Sequence, residues 1–188
     1  NPPVGPIAPT AKPLSEVEPR TAINATNTPG DNDASPSLFK ITQPGSYYLT
    51  GNINGVAGKH GIEIAASGVT LDLGGFDLIG VSNALDGVTC TVNFQTNIEV
   101  RNGSIRNWGG DGLDLLSNTV RNSAVTRIRA NSNFGSGIGL GTGSRMTESG
   151  ANQNVGDGIL TGHGCTITTC TASNNGGDGM VTSNSCTV

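Results

Sequence analysis

Residues 154–180 read NVGDGILTGHGCTITTCTASNNGGDGM. Within them Asp157-Gly158-Ile159 returns 21 residues later as Asp178-Gly179-Met180. Toward the N-terminus the same turn, Gly or Asp-Gly before an aliphatic residue, recurs at Ser136-Gly137-Ile138, Asp111-Gly112-Leu113, Asp86-Gly87-Val88 and Gly61-Ile62. The aliphatic positions are 26, 25, 25, 21 and 21 residues apart. Self-similarity at a nearly fixed period of this size marks a solenoid, in which each repeat buries its apolar side only against its neighbours.

A 21-residue register aligns whole columns of like residues: Val125/Met146/Ile167/Val188, Ile138/Ile159/Met180, Ala130/Ala151/Ala172, Ser123/Ser144/Cys165/Cys186, Thr126/Thr147/Thr168 and Asn133/Asn154/Asn175. A column of Asn suits stacked coils, because each amide can donate to the next about 4.8 Å away. The runs LFKIT, SYYLTGNI, GIEIA, GVTLDL and FDLIG alternate with period two and are too short for amphipathic helices. The sequence therefore predicts an all-β chain, a single-stranded right-handed parallel β-helix of about six rungs over residues 38–188, each about 21 to 27 residues long.

Residues 1–37 hold eight of the nine prolines, and proline cannot donate to a sheet ladder. This segment reads as an extended arm, with one short turn at Leu14–Arg20 and Ser15 as its cap. Only 13% of residues are charged and the net charge is −4, so the basic footprint of a nucleic-acid binder is missing. No apolar run reaches the roughly 18 residues of a membrane span. A first residue of Asn rather than Met suggests a processed terminus and export.

The stretches PGSYYLTGNI (44–53), HGIEIAASGVTLDLGGFDLIG (60–80) and 154–180 resemble the secreted bacterial right-handed parallel β-helix repeat proteins of the pectate-lyase-like superfamily. The resemblance implies the fold and an extracellular or cell-surface location. It leaves activity open, since that superfamily includes lyases, hydrolases, tailspikes and adhesins. Its enzymes group carboxylates with Lys or Arg on one exposed face. Stacking Leu71 on Ile98 places Asp72 under Glu99 and Asp77 under Ser104, with Arg101 and Arg106 nearby. These five residues form the candidate catalytic patch, set against a solvated strand face.

Trp108, the only tryptophan, is expected to fill a core corner, with carbohydrate stacking the alternative. In the turn column Asp86/Asp111/Ser136/Asp157/Asp178, Asp157 and Asp178 are the metal candidates. One carboxylate per rung supplies few of the six to eight oxygens Ca²⁺ takes, so local turn chemistry is the expectation and no cofactor is called for. Cys165 and Cys186 should stack about 4.8 Å apart, where parallel Cβ vectors favour a thiol ladder over a relaxed disulfide. Cys90 and Cys170 read as small buried hydrophobes. His60 and His163 read as turn residues without partners at repeat spacing. Arg127 and Glu148 should face each other across one rung.

Val188 falls within a rung, and nothing in TSNSCTV resembles a solenoid cap. The expected function is an extracellular structural protein that stacks end to end with copies of itself through Cys186 and Val188. The arm's Val4, Ile7, Leu14, Val17 and Ile23 serve as apolar anchors on a neighbour. A cell-surface carbohydrate-binding or adhesion module with a polysaccharide partner is the alternative, and a polysaccharide lyase or hydrolase the second.

Overall fold

The computed structural model describes residues 19–188. The expected anchors Val4, Ile7, Leu14 and Val17, and most of the Leu14–Arg20 turn, lie outside the described residues. The first strands are β1 (Thr21–Ala22), β2 (Ser37–Ile41), β3 (Gly45–Tyr48), β4 (Ile53–Asn54), β5 (His60–Ile64), β6 (Val69–Asp72), β7 (Asp77–Ile79), β8 (Val88–Thr89) and β9 (Glu99–Arg106). They are followed by β10 (Leu113–Leu115), β11 (Ala124–Asn131), β12 (Ile138–Leu140), β13 (Arg145–Thr147), β14 (Gly150–Asn152), β15 (Ile159–Thr161), β16 (Thr166–Thr168), β17 (Thr171–Ser173) and β18 (Met180–Val181).

These strands form an all-β parallel solenoid with three faces. One face runs β2, β5, β8, β10, β12, β15, β18. A second runs β3, β6, β9, β11, β13, β16, and the third runs β4, β7, β9, β11, β14, β17, with the eight-residue strands β9 and β11 spanning both. The first face has seven strands, one coil more than the turn signature counts. The extra coil enters at β2, where Ser37 pairs with His60 and Phe39 with Ile62; no Gly precedes Phe39, so the motif misses it.

Columns of left-handed residues bend the chain at the corners. Asn97, Asn122, Gly143, Gly164 and Ser185 form one; Asn102, Arg127, Glu148 and Thr169 another; Asn107, Ser132, Gln153 and Asn174 a third, all with φ between 50° and 66°. Asn tolerates this conformation better than most residues because its short amide can bond locally. Inside the corners the apolar columns are sealed: Val125, Met146 and Ile167 are buried, as are Ile138 and Ile159. The first of these columns stops at Ile167. Val188 is 73% exposed, although the segment before it is held to the preceding coil by the Thr166–Thr187 bridge and by the Gly164 N–H, which donates to the Asn184 carbonyl at 3.0 Å.

The Asn column is continuous. Asn154 Oδ1 accepts from both the backbone N–H and the side-chain amide of Asn133, each at 3.0 Å, and Asn175 Oδ1 does the same for Asn154, again at 3.0 Å. The remaining amide protons of Asn133, Asn154 and Asn175 go to the carbonyls of Ile105, Ala130 and Ala151 at 3.3, 3.1 and 3.2 Å. A buried amide with its valences satisfied costs little, whereas one with a missing partner costs about 1–3 kcal/mol, so this ladder enforces register.

Residues 19–37 fold onto the first coil. Strand β1 pairs with β3, and Ile23 N–H donates to the Tyr48 carbonyl at 2.9 Å. Ile23 is buried in the chain's own core, so its apolar side chain is not available as an anchor for a neighbour. Pro29 bridges Phe39 in the antiparallel sense. The Lys40 ammonium fastens this segment down, lying 2.6 Å from Asp31, 3.2 Å from Asp33 and 3.0 Å from Glu63.

Candidate functional site

The five charged residues of the candidate patch do gather on the outer surface, in a register different from the expected one. Leu71 pairs with Val100, not Ile98, so Asp72 lies beside Arg101, and Glu99 beside Thr70. Asp77 still pairs with Ser104. The turn between Asp72 and Asp77 is thus two residues longer than its counterpart in β9. It takes up the excess at Gly74 and Gly75, with φ of 62° and 84°, a conformation that glycine adopts without steric cost.

Asp72 is fully engaged. One oxygen lies 3.2 Å from Arg101 Nε and 3.6 Å from Arg20; the other accepts from the Gly74 N–H at 2.9 Å and the Asn102 amide at 3.1 Å. Burial alone would raise its pKa, but these donors outweigh burial and hold the carboxyl below its usual value. Asp77 accepts from Nε and a terminal nitrogen of Arg106, both at 3.4 Å, and Glu99 faces Arg101 at 3.6 Å. A carboxylate held as Asp72 is makes a poor proton acceptor near neutral pH. The patch is an ion-pair lattice across coils.

Beside it lies a notch of about 170 Å³. Ala124 forms its floor, and Glu99 and Arg145 stand on either side in the adjacent coils. The Asn97 and Asn122 side chains, bonded to each other, line one wall. Among the described residues Arg145 faces no carboxylate within ion-pair distance, unlike Arg101, Arg106 and Arg127. The sequence reading missed Arg145 and Asn97; their alignment with Ala124 and Asn122 follows from the registers of β9 and β11.

The Asp column at the turn is a ladder of its own. Asp86 accepts the Asp111 N–H at 2.8 Å, Asp111 the Ser136 N–H at 2.6 Å, and Asp157 the Asp178 N–H at 2.7 Å. Each carboxylate therefore caps the next coil's amide, and the expected local turn bond is replaced by a bond between coils. Asp157 serves in this way, with Asp178 as its donor. Burial, reinforced by the charges of Asp86 and Asp114 against the opposing Ser136 N–H, pushes the Asp111 pKa up to about 6.

His60 heads the same ladder, correcting the expectation that it has no partner at repeat spacing: its Nδ1 accepts the Asp86 N–H at 3.0 Å. Its Nε2 lies 3.1 Å from the Ser35 hydroxyl, and Asp86 Oδ2 is 3.3 Å from Nδ1. By distance this is a Ser–His–Asp relay. By hydrogen bonding it runs backwards: a main-chain N–H aimed at Nδ1 fixes the proton on Nε2, so His60 donates to Ser35 and cannot take its proton.

Trp108 is fully buried, and its ring therefore offers no face to a saccharide. Its Nε1 donates to the Leu78 carbonyl at 3.2 Å, and its N–H donates to Asn133 Oδ1 at 3.1 Å. A Cβ on Gly61 would come within 2.7 Å of the ring, and one on Gly80 within 2.5 Å of the Trp108 backbone; glycine at these two positions makes room for it.

No family model, curated protein or solved structure matches the chain. Among the described residues no helix is long and apolar enough to cross a membrane.

Proposed function

We propose that the protein is an extracellular structural solenoid, of the secreted bacterial pectate-lyase-like β-helix kind, that associates with copies of itself end to end. The observation that carries this reading is that coil after coil is joined by in-register parallel ladders, while Ala172, Met180, Cys170 and Cys186 on the coil of β17 and β18 are only partly covered. The edge of such a ladder is a template for another strand. The opposite end is less receptive: β1 covers β3, and the segment around Pro29 covers part of β2. The contact is therefore read as stacking of two last coils about a two-fold axis, which sets their edge strands antiparallel and closes as a dimer.

Light scattering on the full chain tests this. The expected result is a concentration-dependent species of twice the 19.0 kDa chain mass, returned to monomer by Met180→Lys with the β-sheet circular dichroism unchanged. A monodisperse monomer at high concentration, or a native chain of greater mass whose own coils continue past β18, would overturn the reading. Deleting residues 1–18 separates it from contact through the arm, because a two-fold last-coil contact survives that deletion.

A second reading is favoured by the notch. Its amides, its small floor and Arg145, which meets no carboxylate among the described residues, suit hydroxyl and carboxylate groups, so saccharide binding on the cell surface is the alternative function, here rather than at Trp108. A glycan array with wild type and Arg145→Ala decides it: a hit lost in the variant supports binding, and equal silence of both removes it.

A further inference from the structure

The column Ser123/Ser144/Cys165/Cys186 is inward and in register through β11, β13 and β16. At its first step the Ser123 and Ser144 hydroxyl oxygens lie 2.7 Å apart, and Ser144 Oγ also accepts the Ser123 N–H at 2.9 Å. The γ atoms of this column thus converge well inside the coil spacing of about 4.8 Å. The same column carries sulfur two steps further on. Cys165 N–H donates to Cys186 Sγ at 3.4 Å, and both cysteines are free. The objection that parallel Cβ vectors hold the sulfurs as far apart as the backbones does not apply here. Closing from such contact to an S–S bond of about 2.05 Å takes a small side-chain movement.

We propose that Cys165 and Cys186 form a redox-active dithiol, with Cys186 the attacking and Cys165 the resolving thiol, that takes low-molecular-weight disulfides as its co-substrate. The two positions are unequal in the way such a pair needs. Cys165 is buried, its Sγ bonded to the Gly141 carbonyl at 3.1 Å. Cys186 is only partly covered and is reached in the unassociated chain, since the end-to-end contact proposed above would cover it. Burial raises the Cys165 pKa, while at Cys186 bonds from the Thr161 hydroxyl and the Cys165 N–H outweigh burial and lower it. The Cys186 thiolate attacks one sulfur of the disulfide, forming a mixed disulfide and expelling one thiolate. The Cys165 thiol then loses its proton to solvent and attacks Cys186 Sγ, breaking the mixed disulfide and expelling the second thiolate. The protein loses two electrons and two protons, the small disulfide gains them as two thiols, and residues 165–186 become a covalent ring that fixes the last coil.

Oxidised glutathione on the full chain, followed by intact mass and peptide mapping, tests the assignment. Wild type should form the Cys165–Cys186 bond, with Cys90 and Cys170 still alkylatable, and its melting temperature should rise on oxidation and fall back when reductant is added. Because the column already uses Ser at two steps, Cys165→Ser and Cys186→Ser should fold. Cys165→Ser should accumulate one glutathionyl group on Cys186, and Cys186→Ser should accumulate none on Cys165. Reversed trapping would overturn the division of roles. A wild type that stays fully reduced, or that pairs through Cys170 or Cys90, would overturn the site.

Discussion

The coils before Trp108 and those after it solve the same packing problem differently. After Trp108 the period settles, and from β11 on it is 21 residues, as in Val125↔Met146↔Ile167. Polar positions there repeat as ladders, of Asn and Ser in the interior and of Thr on the outer side. Before it the spacing changes from coil to coil: Tyr47 pairs with Leu71 but Leu71 with Val100. There ion pairs such as Asp72–Arg101 and Asp77–Arg106 link the coils, and one indole fills the corner that the Asn ladder occupies later. Regular coils can rely on a repeated side chain, since every neighbour is the same; irregular coils need individual solutions. Trp108 joins the two regimes, because its N–H ends the Asn ladder on Asn133.

The largest effects should come from breaking the regular half. Ile159→Asp places a charge between Ile138 and Met180, where each aliphatic contributes about 1.5–3 kcal/mol by burial and an unpaired buried charge adds several more. Chemical denaturation should show loss of the last coils together, while Trp108 fluorescence keeps its buried maximum. If only the edited coil loosens, the ladders do not transmit. Next in size, Trp108→Ala should cost about 3–5 kcal/mol and split unfolding into two transitions, since it removes the joint between the halves. A single transition in that variant would instead mean that the halves are coupled without Trp108.

The regular half was legible because identical columns leave one register that satisfies them all. Where the coil length changed, the sequence carried no such check: Leu71 aligned with Ile98 looks as good as with Val100 until the Gly74-Gly75 excess is seen to belong to the turn and not the strand. The place of His60 in the Asp ladder was legible in principle, because its distance to Asp86 equals that from Ile62 to Val88. The burial of Trp108 depended on distant glycines, Gly61 and Gly80, that no local pattern ties to it. The five charged residues lie together, yet their pairing followed from a two-residue shift that set Asp72 beside Arg101 in place of Glu99.

A smaller effect sharpens the ladder account through pH. Asp111 has its folded-state pKa raised to about 6, above the unfolded value of about 3.9. The native state therefore binds the extra proton, and the stability this contributes is complete below about pH 4 and lost as pH rises through about 6. Asp111→Asn keeps an oxygen for the Ser136 N–H and removes the titration. It should stabilise at pH 8 by about 1–2 kcal/mol, allowing for partial solvent screening, with the gain vanishing toward pH 4. A gain that is constant with pH would show that burial of the charge is not the cause. Smallest of all, exposed Thr169 is a β-branched residue at φ 54°, and Thr169→Asn should stabilise by up to about 1 kcal/mol, read as a rise in melting temperature.

The central claim is that an unbroken, buried Asn ladder sets the register of the regular coils, and side-chain amide hydrogen exchange followed by NMR tests it most directly. The account predicts that the Asn133 and Asn154 side-chain amides exchange far more slowly than those of exposed Asn83 and Asn174, with protection at Asn154 lost in Asn175→Ala, whose Oδ1 holds it. Exchange of Asn133 and Asn154 at the rate of the exposed amides would contradict it.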